Sequence, residues 1–262
     1  MAHCNTVFHQ LLKFIPRHRF SSLEKEHGTG RKARKFTRWN QFVALMFMQI
    51  TGRASLRDSV QSLGVRNGFL YHLGLRDVRR STFSDANNKR PASFFKALFD
   101  STYQQCRPMA PKHKFRFKNK LYSMDATTVS LCLSVFPWAK FRRAKGGIRL
   151  HTVLDHSGYL PAFKERWEIE LFFKWIKQNL KIKAFVGNSQ NAVMTQIYTA
   201  LITYLLLAYL NLLAKLNMTL TTLIRILQLN LFQRLTVEEL LKLKPDRSNV
   251  LCDIKQLSLA FC

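Results

Sequence analysis

Charged residues recur at helical spacing between residues 163 and 181. Arg166, Glu170, Lys174 and Lys177 follow one another at intervals of three or four, so a helix would carry them on one face. A carboxylate among cations is the residue set of a site that binds a metal ion and phosphate. A second stripe on the same stretch predicts the side that packs against the protein: Ile169, Phe172, Phe173, Ile176 and Leu180.

A solvated helix surface is the alternative explanation of this pattern. Any amphipathic helix of a basic protein can present Arg, Glu and Lys to water, and charge runs are usually solvated. Arg166 and Glu170 also form an i, i+4 pair, which can orient the carboxylate or simply support the helix. Spacing alone therefore favours the surface explanation.

The wider sequence resembles one protein family. Arg166-x3-Glu170-x6-Lys177 is similar to the Y-x2-R-x3-E-x6-K signature of bacterial insertion-sequence transposases of the DDE type. Phe163 departs from it, because it stands at the tyrosine position. The similarity extends to RWEIELFFKWIKQNLKIK around the signature, to residues 191–210, to RSTFSDAN (80–87) and to SMDATTVSLCLSVFPWAKFR (123–142).

The resemblance implies a ribonuclease-H-like domain that cleaves and joins DNA strands. Two divalent ions can activate water or a 3′ hydroxyl and stabilise the leaving oxygen, and Mg²⁺ or Mn²⁺ prefers carboxylate oxygens. By resemblance, Asp125 after the strand-like residues 121–124 is the first catalytic carboxylate and metal ligand, and Glu170 is the last. Arg166 and Lys177 would bind DNA phosphate or steady Glu170. An Asp that ends a strand and opens a turn is the alternative for Asp125.

The second catalytic Asp of the family has no counterpart. In the family it lies on a strand between the first hairpin and the signature helix, an interval that is absent here. Residues 159–163 predict the third strand and run into the helix without a connector, although such loops normally take about 2–6 residues. We interpret the join near 163/164 as an internal deletion, which predicts weakened metal binding, impaired catalysis and exposed sheet edges. Asp155, in the predicted hairpin turn, and Asp85 and Asp100 are poor replacements.

A large excess of positive charge predicts an anionic partner. Lys and Arg number 42 against 15 Asp and Glu, which gives a net charge of +27. Phosphate neutralisation makes double-stranded DNA the favoured partner, and an anionic membrane is the weaker alternative. Trp138 would pack in a hairpin or, less plausibly, stack on an extruded base. The predicted DNA-binding cations are Arg31, Lys32, Arg34, Lys35, Arg38, Arg142, Arg143 and Lys145.

Cysteine usage and one long apolar stretch bear on location. The five cysteines are scattered and form no C-x2-C pair, which favours a reducing cytoplasm over a zinc or disulfide framework, and the N-terminus shows no signal-peptide pattern. No charged residue occurs from Ala184 to Ala214. Polar residues interrupt that stretch, so it predicts a buried central helix and only secondarily a membrane span.

Local signals predict helices in the first half of the chain and after residue 164. An apolar helix over 39–50, a turn at Gly52 and a helix capped by Ser55 are compatible with a helix-turn-helix or with a plain packing module. Residues 79–82 predict a turn, 91–99 a helix, and alternation over 112–120 a strand. Ser189 and the capping box Thr236-Val-Glu-Glu239 predict two further helix starts.

These observations predict a two-part α+β chain. Residues 1–110 are expected to be a helical, basic DNA-binding region, and 111–262 a truncated ribonuclease-H-like domain whose short sheet packs on long C-terminal helices. The predicted function is transposition by an impaired DDE transposase that acts on transposon ends. We expect a cytoplasmic, nucleoid-associated protein, without a membrane segment and able to dimerise on DNA. The alternative is a non-catalytic DNA-binding remnant that could inhibit an intact transposase.

Overall fold

The computed structural model describes residues 5–28, 33, 35–106, 122–142, 145–155, 174, 178, 185–214 and 218–242. Helices dominate these residues, and three antiparallel strands complete an α+β architecture. The helices are α1 Val7–Lys13, α2 Arg17–Glu26, α3 Arg38–Thr51, α4 Leu56–Gly64, α5 Asn67–Leu70, α6 Arg80–Lys89, α7 Ser93–Cys106, α8 Gln190–Leu213, α9 Leu220–Asn230 and α10 Val237–Lys242. The strands are β1 Tyr122–Leu131, β2 Lys140–Arg142 and β3 Lys145–Asp155.

Helix α3 forms the centre of the helical core. Thr37 and Asn40 make a capping box at its start, and Gly52 ends it in the left-handed conformation with φ 66°. Every residue from Arg38 to Ile50 is buried, so no face of α3 is free to enter a DNA groove. The predicted helix, turn and Ser55 cap are confirmed, but α3 is a packing helix.

Helix α8 is the buried central helix that the uncharged stretch predicts. It begins at Gln190 after the Ser189 cap, whose hydroxyl accepts a hydrogen bond from the amide of Ala192 at 3.1 Å. It packs against α3, α6, α7 and α9. The helix is long and apolar enough to cross a membrane, yet 78% of its most apolar window is buried inside the protein.

The two ends of the described chain meet in the same core. The backbone amides of Val7 and Phe8 donate to the carbonyls of Gln233 and Leu231 at 3.0 and 2.8 Å. The capping box at Thr236 is confirmed by reciprocal hydrogen bonds with Glu239. Helices on both sides of the predicted 110/111 boundary therefore share one hydrophobic core. The boundary itself lies in 107–121, outside the described residues, and stays a prediction.

The sheet has the strand order β1-β3-β2 and is antiparallel throughout. Val129 and Leu131 of β1 are buried, whereas Ser130 between them is exposed. Successive positions of a strand face opposite sides, so β1 has one covered side and one open side. On β3 the open side is basic, with Lys145, Arg149 and His151 all exposed.

One local prediction was wrong: residues 79–82 do not form a turn, because Arg80 begins the ten-residue helix α6. For Asp125, the alternative of an Asp that ends a strand is wrong, because β1 continues through it to Leu131. The strands predicted over 112–120 and 159–163 lie outside the described residues.

We expect Gly52→Ala to lower the free energy of unfolding by about 1–2 kcal/mol, because the left-handed conformation brings Cβ against the backbone of an L-residue. Urea unfolding followed by circular dichroism measures this change. Gly68→Ala is the matched control. It lies in α5, where an added Cβ meets no atom within 4 Å, and it should stabilise the fold by about 0.4–1 kcal/mol. Equal effects of the two substitutions would contradict the prediction.

Candidate functional site

Asp125 occupies a central position of β1. It pairs with Thr152 of β3 in the antiparallel register. Its position is four residues from Val129 and six from Leu131, and even spacing along a strand means the same side of the sheet. By register, Asp125 shares the side of β1 that carries Val129 and Leu131, and its own side chain is not among those described.

The sheet register separates Asp125 from Asp155. Asp155 pairs with Tyr122, which is three residues from Asp125. Odd spacing changes the side of a pleated strand, so the two aspartate positions fall on opposite sides. The other candidate carboxylates are engaged on helices: Asp85 pairs with Lys89 at 3.7 Å and Asp100 with Lys96 at 2.8 Å. Asp85 and Asp100 thus each have a lysine partner within their own helix.

The signature helix is described at two positions only. Lys174 and Gln178 are helical and exposed, as expected for the charged face. Glu170, Arg166 and Lys177 lie outside the described residues, so their approach to Asp125 stays a prediction. Within the described part of the chain, no group of three or more His, Cys, Asp or Glu residues could hold a metal ion.

Arg38, one of the predicted DNA-binding cations, takes part in the packing of the helical core. Its side chain is buried, with 6% of its surface exposed. The guanidinium donates to the carbonyl of Pro91 at 3.2 Å and lies 5.0 Å from the ring centre of Phe94. Burial, helped by the positive charge of Arg90, lowers the pKa of Arg38 to about 10. The group stays protonated at neutral pH and joins the start of α3 to the start of α7.

Arg90 completes this connection from the end of α6. Its guanidinium donates to the side chain of Gln41 and the carbonyl of Thr37, both at 3.1 Å, and to the carbonyl of Phe36. Burial lowers the pKa of Arg90 as well. The two arginines therefore hold the segment before α3 against the α6–α7 connection.

Of the other predicted DNA-binding cations, Lys35 and Lys145 are exposed. Lys145 lies on the open side of the sheet, opposite the Asp125 position, so one flat surface cannot contact both. Arg142 is the last residue of β2, and its side chain is not among those described. Arg31, Lys32, Arg34 and Arg143 lie outside the described residues.

Trp138 packs within the protein, as its preferred interpretation predicted. Its indole donates to the carbonyl of Asn188 at 2.7 Å, and its ring meets Phe136 edge-on with centroids 6.3 Å apart. Phe136 in turn contacts Phe185, with centroids 6.1 Å apart. The β1–β2 connection is thereby fixed to the segment that precedes α8.

A cavity of about 690 Å³ opens between α4, α6 and this segment. Sequence reasoning missed it, because its residues come from three separated parts of the chain. The signals were the Ser55 cap and the RSTFSDAN stretch, which had been given no chemical role. The lining comprises Ala54, Ser55, Leu56, Arg57, Arg80, Ser81, Ser84, Asp85, Phe185 and Val186.

Comparison with protein families gives two matches. Residues 3–76 match a domain of unknown function, DUF4372, and residues 161–206 match the "Transposase DDE domain". The second match contains Arg166, Glu170 and Lys177. Over residues 161–206 the chain is therefore similar to the DDE transposases of bacterial insertion sequences.

Curated proteins that are similar to the chain are also named transposases. "Putative transposase y4zB" of Sinorhizobium fredii is 36% identical over 122 residues, which cover 42% of this chain and 33% of the relative. "Probable transposase for insertion sequence element IS5377" of Geobacillus stearothermophilus is 39% identical over 74 residues, 27% of this chain and 20% of the relative. The chain thus covers about a third of the length of the first relative and about a fifth of the length of the second. No solved structure is detectably similar to it.

Proposed function

We propose that the chain is a transposase of a bacterial insertion sequence whose catalytic domain is incomplete. The observation that carries this proposal is the DDE match over 161–206, which includes the signature residues from Arg166 to Lys177. The position of Asp125 on β1 supports it, since the resemblance places the first catalytic carboxylate on the first strand. The proposed fold of this region is ribonuclease-H-like, and its substrate is the DNA of the transposon ends.

Asp125 and Glu170 are the residues proposed to hold Mg²⁺ or Mn²⁺. Such ions lower the pKa of a bound water or hydroxyl and stabilise the leaving oxygen of a phosphodiester. Arg166 and Lys177 would neutralise the DNA phosphate next to the scissile bond, and Arg166 can do so with two parallel hydrogen bonds. Two carboxylates give fewer anionic ligands than the family uses, so the ions should bind weakly.

Impairment follows from the proposed deletion near 163/164. The DDE match begins at 161, beside the proposed junction, and leaves Asp125 outside it. Asp155 falls on the other side of the sheet by register, and Asp85 and Asp100 have lysine partners on their own helices. Without a third carboxylate, the chain would not hold two metal ions in the positions needed for catalysis. Those ions would otherwise activate the nucleophile and stabilise the leaving group.

A strand-transfer assay tests this function. Purified protein is incubated with duplex DNA carrying the terminal sequences of its own element, with Mg²⁺ or Mn²⁺, and joined products are separated on a sequencing gel. We expect no more product from the wild type than from the Glu170→Ala variant. Abundant products that disappear in Glu170→Ala would show that the transposase is active and that our proposal of an impaired enzyme is wrong.

A DNA-binding remnant is the second candidate, and the net charge of +27 favours it. Such a protein would occupy transposon ends, dimerise there and reduce transposition by an intact transposase. A cell-based mating-out assay with an intact copy of the element measures this inhibition. Transposition frequency should fall when the chain is expressed. The chain itself should be found in the cytoplasm, associated with the nucleoid. An unchanged frequency at equal protein levels would exclude inhibition.

A further inference from the structure

The cavity between α4 and α6 brings two arginines to one opening. Arg57 lies in the first turn of α4, and Arg80 is the first residue of α6. Both are exposed and both line the cavity. Ser55, Ser81 and Ser84 belong to the same lining. Guanidinium and hydroxyl groups are the side-chain donors that most often contact nucleic-acid phosphates.

The neighbouring carboxylates do not neutralise these arginines. Asp85 also lines the cavity but pairs with Lys89 at 3.7 Å. Asp58, which follows Arg57, accepts a hydrogen bond from Arg53 at 3.0 Å. Within the described part of the chain, neither Arg57 nor Arg80 takes part in a salt bridge. The opening therefore has an unbalanced positive charge.

More cations lead into the same opening. Arg76 and Arg79, on the segment that enters α6, are both exposed. Only Asp77 opposes them on that segment. Positive charge thus continues from the cavity along the surface before α6, as contact with an extended polyanion requires. A small isolated anion would need no such extension.

The position of the cavity relates it to the sheet. Phe185 lines the cavity and contacts Phe136 of the β1–β2 connection. Trp138 of that connection donates to Asn188, a few residues beyond Phe185. A polyanion in the opening would therefore lie beside Phe185, which contacts the β1–β2 connection.

We propose that this cavity binds the phosphodiester backbone of duplex DNA through Arg57 and Arg80. This inference rests on the proposed function and gives the N-terminal helices a contact surface other than residues 31–38. The arginines neutralise backbone phosphates, and the serine hydroxyls donate to phosphate oxygens. Contacts of this kind fix the position of a protein on DNA without reading its sequence.

Salt titration of DNA binding tests the cavity. Fluorescence anisotropy with the full chain and a labelled duplex of random sequence gives the slope of log K against log salt. For the double variant Arg57→Ala/Arg80→Ala, the slope should fall by about 0.9 per lost phosphate contact, and affinity at 0.1 M salt by about 8-fold per contact. The matched control is Lys25→Ala/Arg225→Ala, which removes two exposed cations from α2 and α9. Its slope should equal that of the wild type.

Three results distinguish the proposal from its foundation. If the cavity and control variants weaken binding equally, the cavity is not the contact surface, although DNA binding itself stands. If the wild type shows no salt-dependent binding, the proposed function fails together with the cavity. The variant Arg57→Lys/Arg80→Lys keeps both charges and should recover most of the slope. Circular dichroism on each variant checks that loss of binding does not reflect unfolding.

Discussion

Replacing Phe47 by alanine should lower the free energy of unfolding by about 3–5 kcal/mol, the usual cost of deleting a fully buried aromatic side chain. Phe47 lies in the middle of α3 and is 1% exposed. Its ring is 6.5 Å from that of Phe8 in α1 and 5.9 Å from that of Phe232 beyond α9. The substitution thus removes the ring of α3 that contacts Phe8 and Phe232, which come from the two ends of the described chain.

Urea unfolding measures the loss, and Tyr71→Ala is its control. Tyr71 is also aromatic but 84% exposed, so its removal should change stability by less than about 0.5 kcal/mol. Domains of ordinary stability unfold with about 5–15 kcal/mol, so Phe47→Ala also tests whether the fold is marginal, as the proposed deletion predicts. A loss below about 1 kcal/mol would mean that the three-ring cluster is not packed in solution.

Helix starts were the most predictable feature of this fold. Ser55, Ser189 and Thr236 each accept a hydrogen bond from a backbone amide three residues ahead, and such local contacts depend only on neighbours in sequence. The buried helix α8 was also predictable, because a long segment without charged residues, interrupted by polar ones, favours burial inside the protein. These signals require no knowledge of distant parts of the chain.

The errors concern features that distant residues decide. Arg38 belongs to a cation-rich segment and was expected to be exposed, but its partners are Pro91 and Phe94, more than fifty residues away. Helix α6 has no side-chain cap, and it packs against α8 from the other half of the chain. Tertiary contacts overrode local preference in both places.

For the candidate site, too, some features could be predicted from the sequence, whereas features formed by distant residues could not. Resemblance to the transposase family identified Asp125, and the structure places it within β1. No sequence pattern could show that Arg57 and Arg80 meet at one cavity, since they belong to helices separated by α5 and a further segment. The charge excess predicted DNA as partner, whereas the surface proposed to meet it depends on packing.

Arg38→Ala should affect stability and Lys35→Ala should affect DNA binding, although both remove a cation from the predicted DNA-binding segment. Arg38→Ala should lower the free energy of unfolding by about 2–3 kcal/mol, because it deletes a charged hydrogen bond and a packed side chain. It should leave the salt slope of DNA binding unchanged, since a buried guanidinium meets no phosphate. Lys35 is exposed, so Lys35→Ala should leave stability unchanged and lower the slope by about 0.9 if Lys35 contacts DNA.

Urea unfolding and salt-titrated anisotropy on the same protein preparations separate these effects. Arg38→Met retains much of the apolar stem and should recover part of the stability, which distinguishes lost packing from the lost hydrogen bond. A reduced salt slope in correctly folded Arg38→Met would mean that Arg38 reaches DNA after all. In that case the start of α3 opens when DNA binds, and the tie to Pro91 is broken in the complex.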